Sequence, residues 1–323
     1  MQHKSVLLQE AIDGLEIKDG DIFVDGTLGG GGHSEEVCRR FGSAVVMIGI
    51  DLDPEALART TKRLTQNECN IRYAQGSFRN IDSILDSLGV AQVDPVVDFG
   101  IAPLEQGKAN AKIHYRVGKI LLDLGLSSNQ FEDSGRGFSF QKDEPLLMTF
   151  KKDLSEGDLT AREIVNTWDA ENIEAILSGY GEEQFAWKIS RAIVARREVK
   201  SIETTGELVE IIKSATPNWY HTKKIHPATK TFQALRITVN DEIESLKEGI
   251  AKGFERLKPE GRMAVISFHS LEDRVVKQFF KEKEDRREGK RVTKRPITPS
   301  DEEIAHNPRS RSAKLRIIYK KSW

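Results

Sequence analysis

A chain of 323 residues, 31% charged and 38% hydrophobic with a formal net charge of −1, has room for a full α/β domain plus a smaller one. No apolar run approaches the roughly 18 residues that span a bilayer, and the polar start from Met1 to Leu8 does not make a signal peptide, so a cytoplasmic protein with no membrane partner is expected. Two cysteines, Cys38 and Cys69, argue for a reducing compartment, against a disulfide framework and against a structural metal.

Along the chain, the first third alternates strand and helix. A strand at 22–27 runs into four consecutive glycines, Gly29 to Gly32, and a helix follows at 33–41. A second strand at 45–51 ends in Asp51, and Pro54 opens a helix to Thr65, where its missing N–H costs nothing. A strand at 71–76 and a short helix at 80–88 complete the rhythm of a parallel sheet covered on both faces. Residues 93–118 are an insertion of unknown role. Lys119 to Gly125 is the fourth strand.

After Gln130 the pattern becomes helix upon helix. Thr160 with Glu163, and Thr204 with Glu207, are capping boxes, and Phe185, Ile189 and Ile193 form an apolar stripe. The α/β pattern resumes with an amphipathic helix from Ile243 to Leu257, a strand from Met263 to Phe268, and a helix from Leu271 to Lys283. In the last strand Ala313, Leu315, Ile317 and Tyr319 alternate with Lys314, Arg316 and Lys320, as in a half-buried strand. The expected organisation is an α/β, Rossmann-like domain over 1–132 and 229–323, interrupted by a mostly helical domain over 133–228. From Arg286 onward there are 12 Lys+Arg against 4 Asp+Glu, a local excess that suits a polyanion or a solvated surface.

A glycine-rich turn with an acid on the next strand suits a nucleoside cofactor, because glycine lets backbone approach a ligand and the acid accepts from ribose hydroxyls. NAD and S-adenosylmethionine (SAM) both fit those two features. Further motifs follow in order: Asp123-Leu124-Gly125-Leu126-Ser127-Ser128-Asn129-Gln130, Arg136-Gly137-Phe138-Ser139-Phe140, Tyr180-Gly181-Glu182-Glu183, His226-Pro227-Ala228-Thr229-Lys230, Ser267-Phe268-His269-Ser270 and Asn307-Pro308-Arg309-Ser310-Arg311. This series, beginning at His3-Lys4-Ser5-Val6-Leu7-Leu8-Gln9-Glu10, resembles the bacterial RsmH (MraW) family over nearly the whole chain.

The resemblance implies a class I SAM-dependent methyltransferase that modifies N4 of a decoding-centre cytidine in 16S rRNA. It places the cofactor contacts on Gly31, Gly32, His33, Asp51, Phe78, Asp123 and Gln130, and it allows a homodimer. It also makes the partner 16S rRNA, within the small subunit or a late assembly intermediate. Cytosine N4 is a poor nucleophile, so positioning and electrostatics must supply most of the acceleration, with no covalent nucleophile and no metal. Asp123 is a candidate acceptor for the amino hydrogens, or a cofactor ligand. His269 is a candidate to orient the base or relay its proton, or a structural histidine of the strand-to-helix turn. Lys230, Phe232 and Arg236, with Arg309 and Arg311 in a basic rim, are candidates to contact RNA, Phe232 being read more readily as core than as a stacking platform.

One stretch departs from the family. Where Gly-Pro-Leu-Asp-Met-Arg-Met-Asp is usual, this chain has Glu144-Pro145-Leu146-Leu147-Met148-Thr149-Phe150, so Leu147 and Thr149 replace an acid and an arginine. That change motivates two alternatives: the same chemistry on another RNA cytidine, or a non-catalytic SAM-binding assembly factor.

Overall fold

The computed structural model describes residues 5–65, 67, 69–90, 117–125 and 135–322. Most of the expected insertion at 93–118 lies outside that set, as do Gln130 and the loop from Leu126. The chain divides into two units, Met1–Gly125 with Ile243–Trp323, and Leu126–Glu242.

In the first unit, α1 (Leu8–Leu15) precedes β1 (Ile22–Asp25), followed by α2 (Gly32–Phe41), β2 (Val46–Asp51), α3 (Pro54–Thr65), β3 (Ile71–Gln75), α4 (Ile81–Ser87) and β4 (Val117–Asp123). Beyond the second unit come α11 (Glu242–Arg256), β5 (Leu257–Ser267), α12 (Ser270–Asp285), β6 (Gly289–Arg291), α13 (Asp301–His306) and β7 (Lys314–Lys320). The sheet order is β3-β2-β1-β4-β5-β7-β6, parallel from β3 to β5, with β7 antiparallel to both neighbours. This is the Rossmann-like sheet of class I SAM methyltransferases that the motifs imply.

Period-two alternation explains why both faces are buried. Phe23, Met47, Leu121, Ala264 and Ile266 turn to one face and pack with Ala11, Ile12 and Leu15 of α1. Val24, Ile48, Ile120, Leu122 and Val265 turn to the other, against Leu85 of α4, Ile250 and Phe254 of α11, and Phe280 of α12. The last strand corrects an expectation: it is buried on both faces rather than half-buried, because it lies inside the sheet. Its Arg316 is sequestered in a bidentate pair with Asp273 at 2.6 and 3.1 Å, and Ile318 is fully buried.

The cysteine expectation is also corrected. Cys38 on α2 and Cys69, just before β3, form a disulfide with Cα atoms 5.6 Å apart. The fold brings these two segments together because β2 and β3 are adjacent. Sequence separation gives no hint of it.

The second unit contains α5 (Ala161–Thr167), α6 (Ala170–Gly179), α7 (Ala186–Val199), α8 (Thr205–Ala215), α9 (Asn218–His221) and α10 (Thr229–Asn240). Its core joins Ile164, Ile173, Leu177, Ile189, Ile193, Leu208 and Ile212. The unit extends past the expected end at residue 228 because Phe232, Ala234 and Leu235 of α10 pack into this core. Thr204 and Glu207 make both halves of a capping box. At Thr160 the side chain accepts from Glu163 N at 3.1 Å.

The stretch from Glu144 to Phe150 is wired into the helical unit. Glu144 Oε2 accepts from Gly137 N at 3.0 Å, and the carbonyls of Leu146 and Leu147 accept from Arg162 and Ala161 at the start of α5. Arg136 Nη1 donates to the carbonyls of Thr149, Phe150 and Lys151. Asn240 holds Met148 O and Phe150 N, each at 2.7 Å. Thr149 itself is buried.

Candidate active site at the strand ends

In a parallel sheet, ligands gather at the carboxyl ends of the strands. Here three acids sit at those ends: Asp25 on β1, Asp51 on β2 and Asp123 on β4. The glycine turn hangs from them. Gly29 N donates to Asp51 Oδ2 at 2.6 Å, and Asp53 N donates to Oδ1 at 2.8 Å. Thr27 Oγ1 accepts from Asp123 N at 2.6 Å, joining the turn to β4. Asp53, rather than Asp51, caps α3 by accepting from Glu55 N at 2.9 Å. Asp51 therefore organises the turn, and its remaining lone pairs are free to take hydroxyl donors, since a carboxylate offers about four acceptor sites.

The turn is closely packed: Thr60 Oγ1 donates to Gly29 O at 3.1 Å and Arg63 donates to Gly30 O. Gly31 has φ +71°, in the left-handed region, where a side chain is strained, and a Cβ there would overlap the Thr60 methyl. A Cβ on Gly32 would collide with Ser5 Oγ. Phe78 begins a 3-10 turn, Phe78–Asn80, and its ring packs against α11 where Gly249 leaves room for it.

The electrostatics of this end are unusual. Asp25 is 2% exposed, accepts from Ser34 Oγ at 2.7 Å and Thr27 N at 3.3 Å, and burial pushes its carboxyl up to about 6, with Asp51 adding to the rise. Burial also raises Asp51, against the N–H groups of Asp53 and Gly29. Asp123 is pushed up to about 7, by burial first and then by the charges of Asp25 and Glu272, against one hydrogen bond from Gly125. Among the described residues, no lysine or arginine lies within ion-pair distance of any of the three.

A histidine stands beside Asp123. His33, buried at the start of α2, places Nε2 3.2 Å from Val6 O and Nδ1 3.8 Å from Asp123 Oδ2. A carbonyl can only accept, so in the neutral ring Nε2 carries the hydrogen and the Nδ1 lone pair faces Asp123. Asp123 Oδ1 is buried with no hydrogen-bond partner among the described residues, while the side chain as a whole keeps 18% of its surface. A buried acceptor left unpaired is costly unless a ligand completes it.

These features fit SAM. The turn offers close backbone approach, Asp51 offers acceptors for ribose hydroxyls, and a group of uncompensated carboxylates suits a cationic sulfonium. Six of the seven expected cofactor residues, Gly31, Gly32, His33, Asp51, Phe78 and Asp123, lie on the β1–α2, β2, β3–α4 and β4 ends. Gln130 lies outside the described residues.

His269, the other expected catalytic residue, is the N-cap of α12. Its Nδ1 accepts from Glu272 N at 3.4 Å, Glu272 Oε2 accepts from the N–H groups of Phe268 and His269, and Nε2 stands 3.1 Å from Glu272 Oε1. Capping employs Nδ1, while Nε2 is buried without a hydrogen-bond partner among the described residues.

The expected RNA contacts divide. Phe232 is 4% exposed and meets Phe140 edge-on at 5.3 Å, so the stacking role is corrected: its faces are already used by the core. Arg236 is held bidentate by Glu242 at 2.8 Å through both nitrogens, and Lys230 donates to Glu182 O at 2.6 Å. Arg309 and Arg311 are exposed on a 3-10 turn, Pro308–Ser312. The basic excess of the tail is smaller in space than in sequence, because Arg286, Arg291, Lys314 and Arg316 pair with Glu282, Glu284 and Asp273 from α12. Two exposed tryptophans of the helical unit, Trp187 and Trp219, were not among the expected contacts. Their exposure is a tertiary property, and the only sequence signal for it is the neighbouring Lys188 and Lys223.

Known proteins similar in sequence to this chain share one family. The model of the family described as "MraW methylase family" matches residues 1–321. The ribosomal RNA small subunit methyltransferase H of Clostridium botulinum (strain Kyoto / Type A2) is 42% identical over 334 residues, covering 99% of each chain. The protein of the same name from Lachnospira eligens is 39% identical over 332 residues, covering 98% of this chain and 97% of its own. Among solved structures, NSun6 from Pyrococcus horikoshii with SFG aligns over 99% of this chain and 53% of its own, at 11% identity and a TM-score of 0.45.

Proposed function

The chain belongs to the MraW methylase family, and from that premise we propose that it transfers a methyl group from SAM to N4 of a decoding-centre cytidine in 16S rRNA. The observation that supports this reading best is the group of three carboxylates at the strand ends with no compensating lysine or arginine among the described residues. It asks for a cationic ligand and an amino donor together.

When bound, SAM supplies a methyl group activated by its positively charged sulfur. Asp51 would accept from the ribose hydroxyls, Phe78 would pack against the adenine, and the Gly31–Gly32 backbone would hold the methionine part. Asp123 Oδ1, the unpaired acceptor, takes a hydrogen bond from the cytosine amino group and holds its nitrogen in line. As N4 gains the methyl group it must lose a proton, and Asp123 Oδ1 receives it; His33 Nδ1 stands behind the same carboxyl as the next acceptor. His269 keeps the β5–α12 turn in place. The reaction takes place in the cytoplasm, on the small subunit or a late assembly intermediate.

Incubating the protein with labelled SAM and small subunits from cells lacking the modification, then mapping methylated nucleotides, tests this. Label on N4 of one decoding-centre cytidine is expected. Label on a different cytidine supports a second reading, same chemistry at another position, which the replacement of an acid and an arginine by Leu147 and Thr149 motivates. SAM binding with no transfer to any RNA would instead make the chain an assembly factor.

A further inference from the structure

Aromatic rings surface together on the helical unit, around the start of α7 and the short α9. Trp187 and Trp219 keep 56% and 54% of their surface exposed, and Ile225 keeps 58%. The Phe185 ring lies 5.8 Å from Trp219 and 5.0 Å from Tyr220. Tyr220 anchors the row from below, donating its hydroxyl to buried Glu183 at 2.7 Å.

Cations lie on these rings. Lys223 Nζ stands 4.8 Å from the centre of Trp219 and 5.1 Å from that of Tyr220, and Lys188 Nζ stands 5.8 Å from Phe185. Neither lysine has a carboxylate within ion-pair distance among the described residues. Arg191 lies 4.7 Å over Trp187, but Glu171 and Glu174 already hold it.

Leaving two indoles in water forgoes the favourable burial of large apolar area, and exposed aromatics with cations laid on their rings suit a binding surface. The lysines choose between partners. Protein interfaces are depleted of lysine and bury their aromatics away from charge. An unpaired nucleic-acid strand needs both features at once: flat rings on which bases stack, and ammonium groups for the phosphates between them. An indole with an ammonium on one face still presents the other to a base.

We propose that Phe185, Trp187 and Trp219, with Lys188 and Lys223, form a docking surface for an unpaired stretch of the RNA substrate. This rests on the reading of the chain as an rRNA methyltransferase, and it assigns the helical unit a contact remote in sequence from every motif of the methyl-transfer site.

Two variants of the full chain test it: Trp187→Ala/Trp219→Ala and Lys188→Glu/Lys223→Glu. Binding to a single-stranded oligoribonucleotide and to small subunits is measured across salt concentrations, alongside methyl transfer and SAM binding. The tryptophan variant is expected to weaken RNA binding tenfold or more and raise KM for the subunit, with kcat and SAM affinity kept. Trp187→Phe/Trp219→Phe should restore most of the loss. The lysine variant should flatten the salt dependence by roughly 0.7 in log–log slope per lysine removed. Unchanged RNA affinity and KM in both variants, with transfer intact, overturns the surface and leaves the methyltransferase reading standing. A wild-type dimer that the variants dissociate without change in RNA affinity also overturns it, by assigning the patch to a second copy. If the wild type methylates no RNA, the methyltransferase reading fails, and the oligoribonucleotide titration still decides the surface by whether the variants bind less tightly.

Discussion

The two ends of the central sheet treat buried acid in opposite ways. At the amino end Asp21, 3% exposed, is neutralised by Lys258 at 2.5 Å and by Lys119 at 3.6 Å, and it also accepts from Lys18 N. Burial lowers the Lys119 ammonium while Asp21 resists the change. At the carboxyl end Asp25, Asp51 and Asp123 have hydrogen-bond donors but, among the described residues, no lysine or arginine, and each carboxyl rises. Two clusters of buried charge at opposite ends of one sheet therefore carry different meanings. One is complete in the folded chain. The other keeps raised carboxyls without lysine or arginine partners among the described residues, which is the electrostatic mark of a site as opposed to a scaffold.

Exchanging the damage between the two ends gives the largest effects. Asp123→Ala is expected to slow single-turnover methyl transfer roughly 10²–10⁴-fold at saturating SAM, with the fold intact. Near-normal turnover would remove Asp123 from the proton path. Asp21→Ala should do the reverse, leaving Lys119 buried without its acid and costing about 3–5 kcal/mol in denaturant unfolding. Transfer per folded molecule should hardly change. Were Asp21→Ala to impair transfer at constant stability, the distinction between the ends would fail.

A smaller effect comes from pH. Asp25 and Asp123 have folded-state values of about 6 and about 7, above their ordinary 3.8. The folded state thus holds these protons more tightly than the unfolded chain. The stability this confers is full below about pH 4 and declines as pH rises through 6 and 7, by on the order of a few kcal/mol in total. Thermal unfolding of the SAM-free protein across that range should show the decline, and Asp25→Asn should reduce it. Over the same interval methyl transfer should increase, because Asp123 must be ionised to receive a proton. A flat stability profile from pH 4 to 7 would mean that the carboxylates are better solvated than their burial indicates.

The smallest effect lies away from both ends. Thr204→Ala removes one half of the α8 capping box and should cost about 1 kcal/mol. SAM affinity, measured by calorimetry, should stay the same.

Much of the sheet was legible because periodicity records burial directly. Pro54–Thr65 is a helix over the very residues expected, and the strand-end positions of Asp51 and Asp123 follow from hydrophobic runs that stop at an acid. The misreadings have a common physical origin. The alternation in β7 looks half-buried only because Arg316 counts as polar, whereas Asp273 on a distant helix makes its burial affordable. Phe232 in a basic motif resembles a stacking platform until α10 turns it inward. Cys38 and Cys69 are paired by strand adjacency, and Trp187 and Trp219 are exposed by tertiary placement. Each depends on a partner far along the chain, which local pattern does not encode. His269 was readable either way, and its Nδ1 caps α12 through reciprocal bonds with Glu272.

The pairing of β4 with β5 sets Lys119 beside Arg262 and Asp123 beside Ile266, across the entire helical unit in sequence. Local contacts form quickly and distant ones slowly. A chain emerging in order can assemble the helical core while β4 still waits for its neighbour. The carboxyl proposed to receive the proton from cytosine is then among the last parts of the molecule to reach its working position, and a stalled or partly folded chain would display RNA-facing surface before it could perform chemistry.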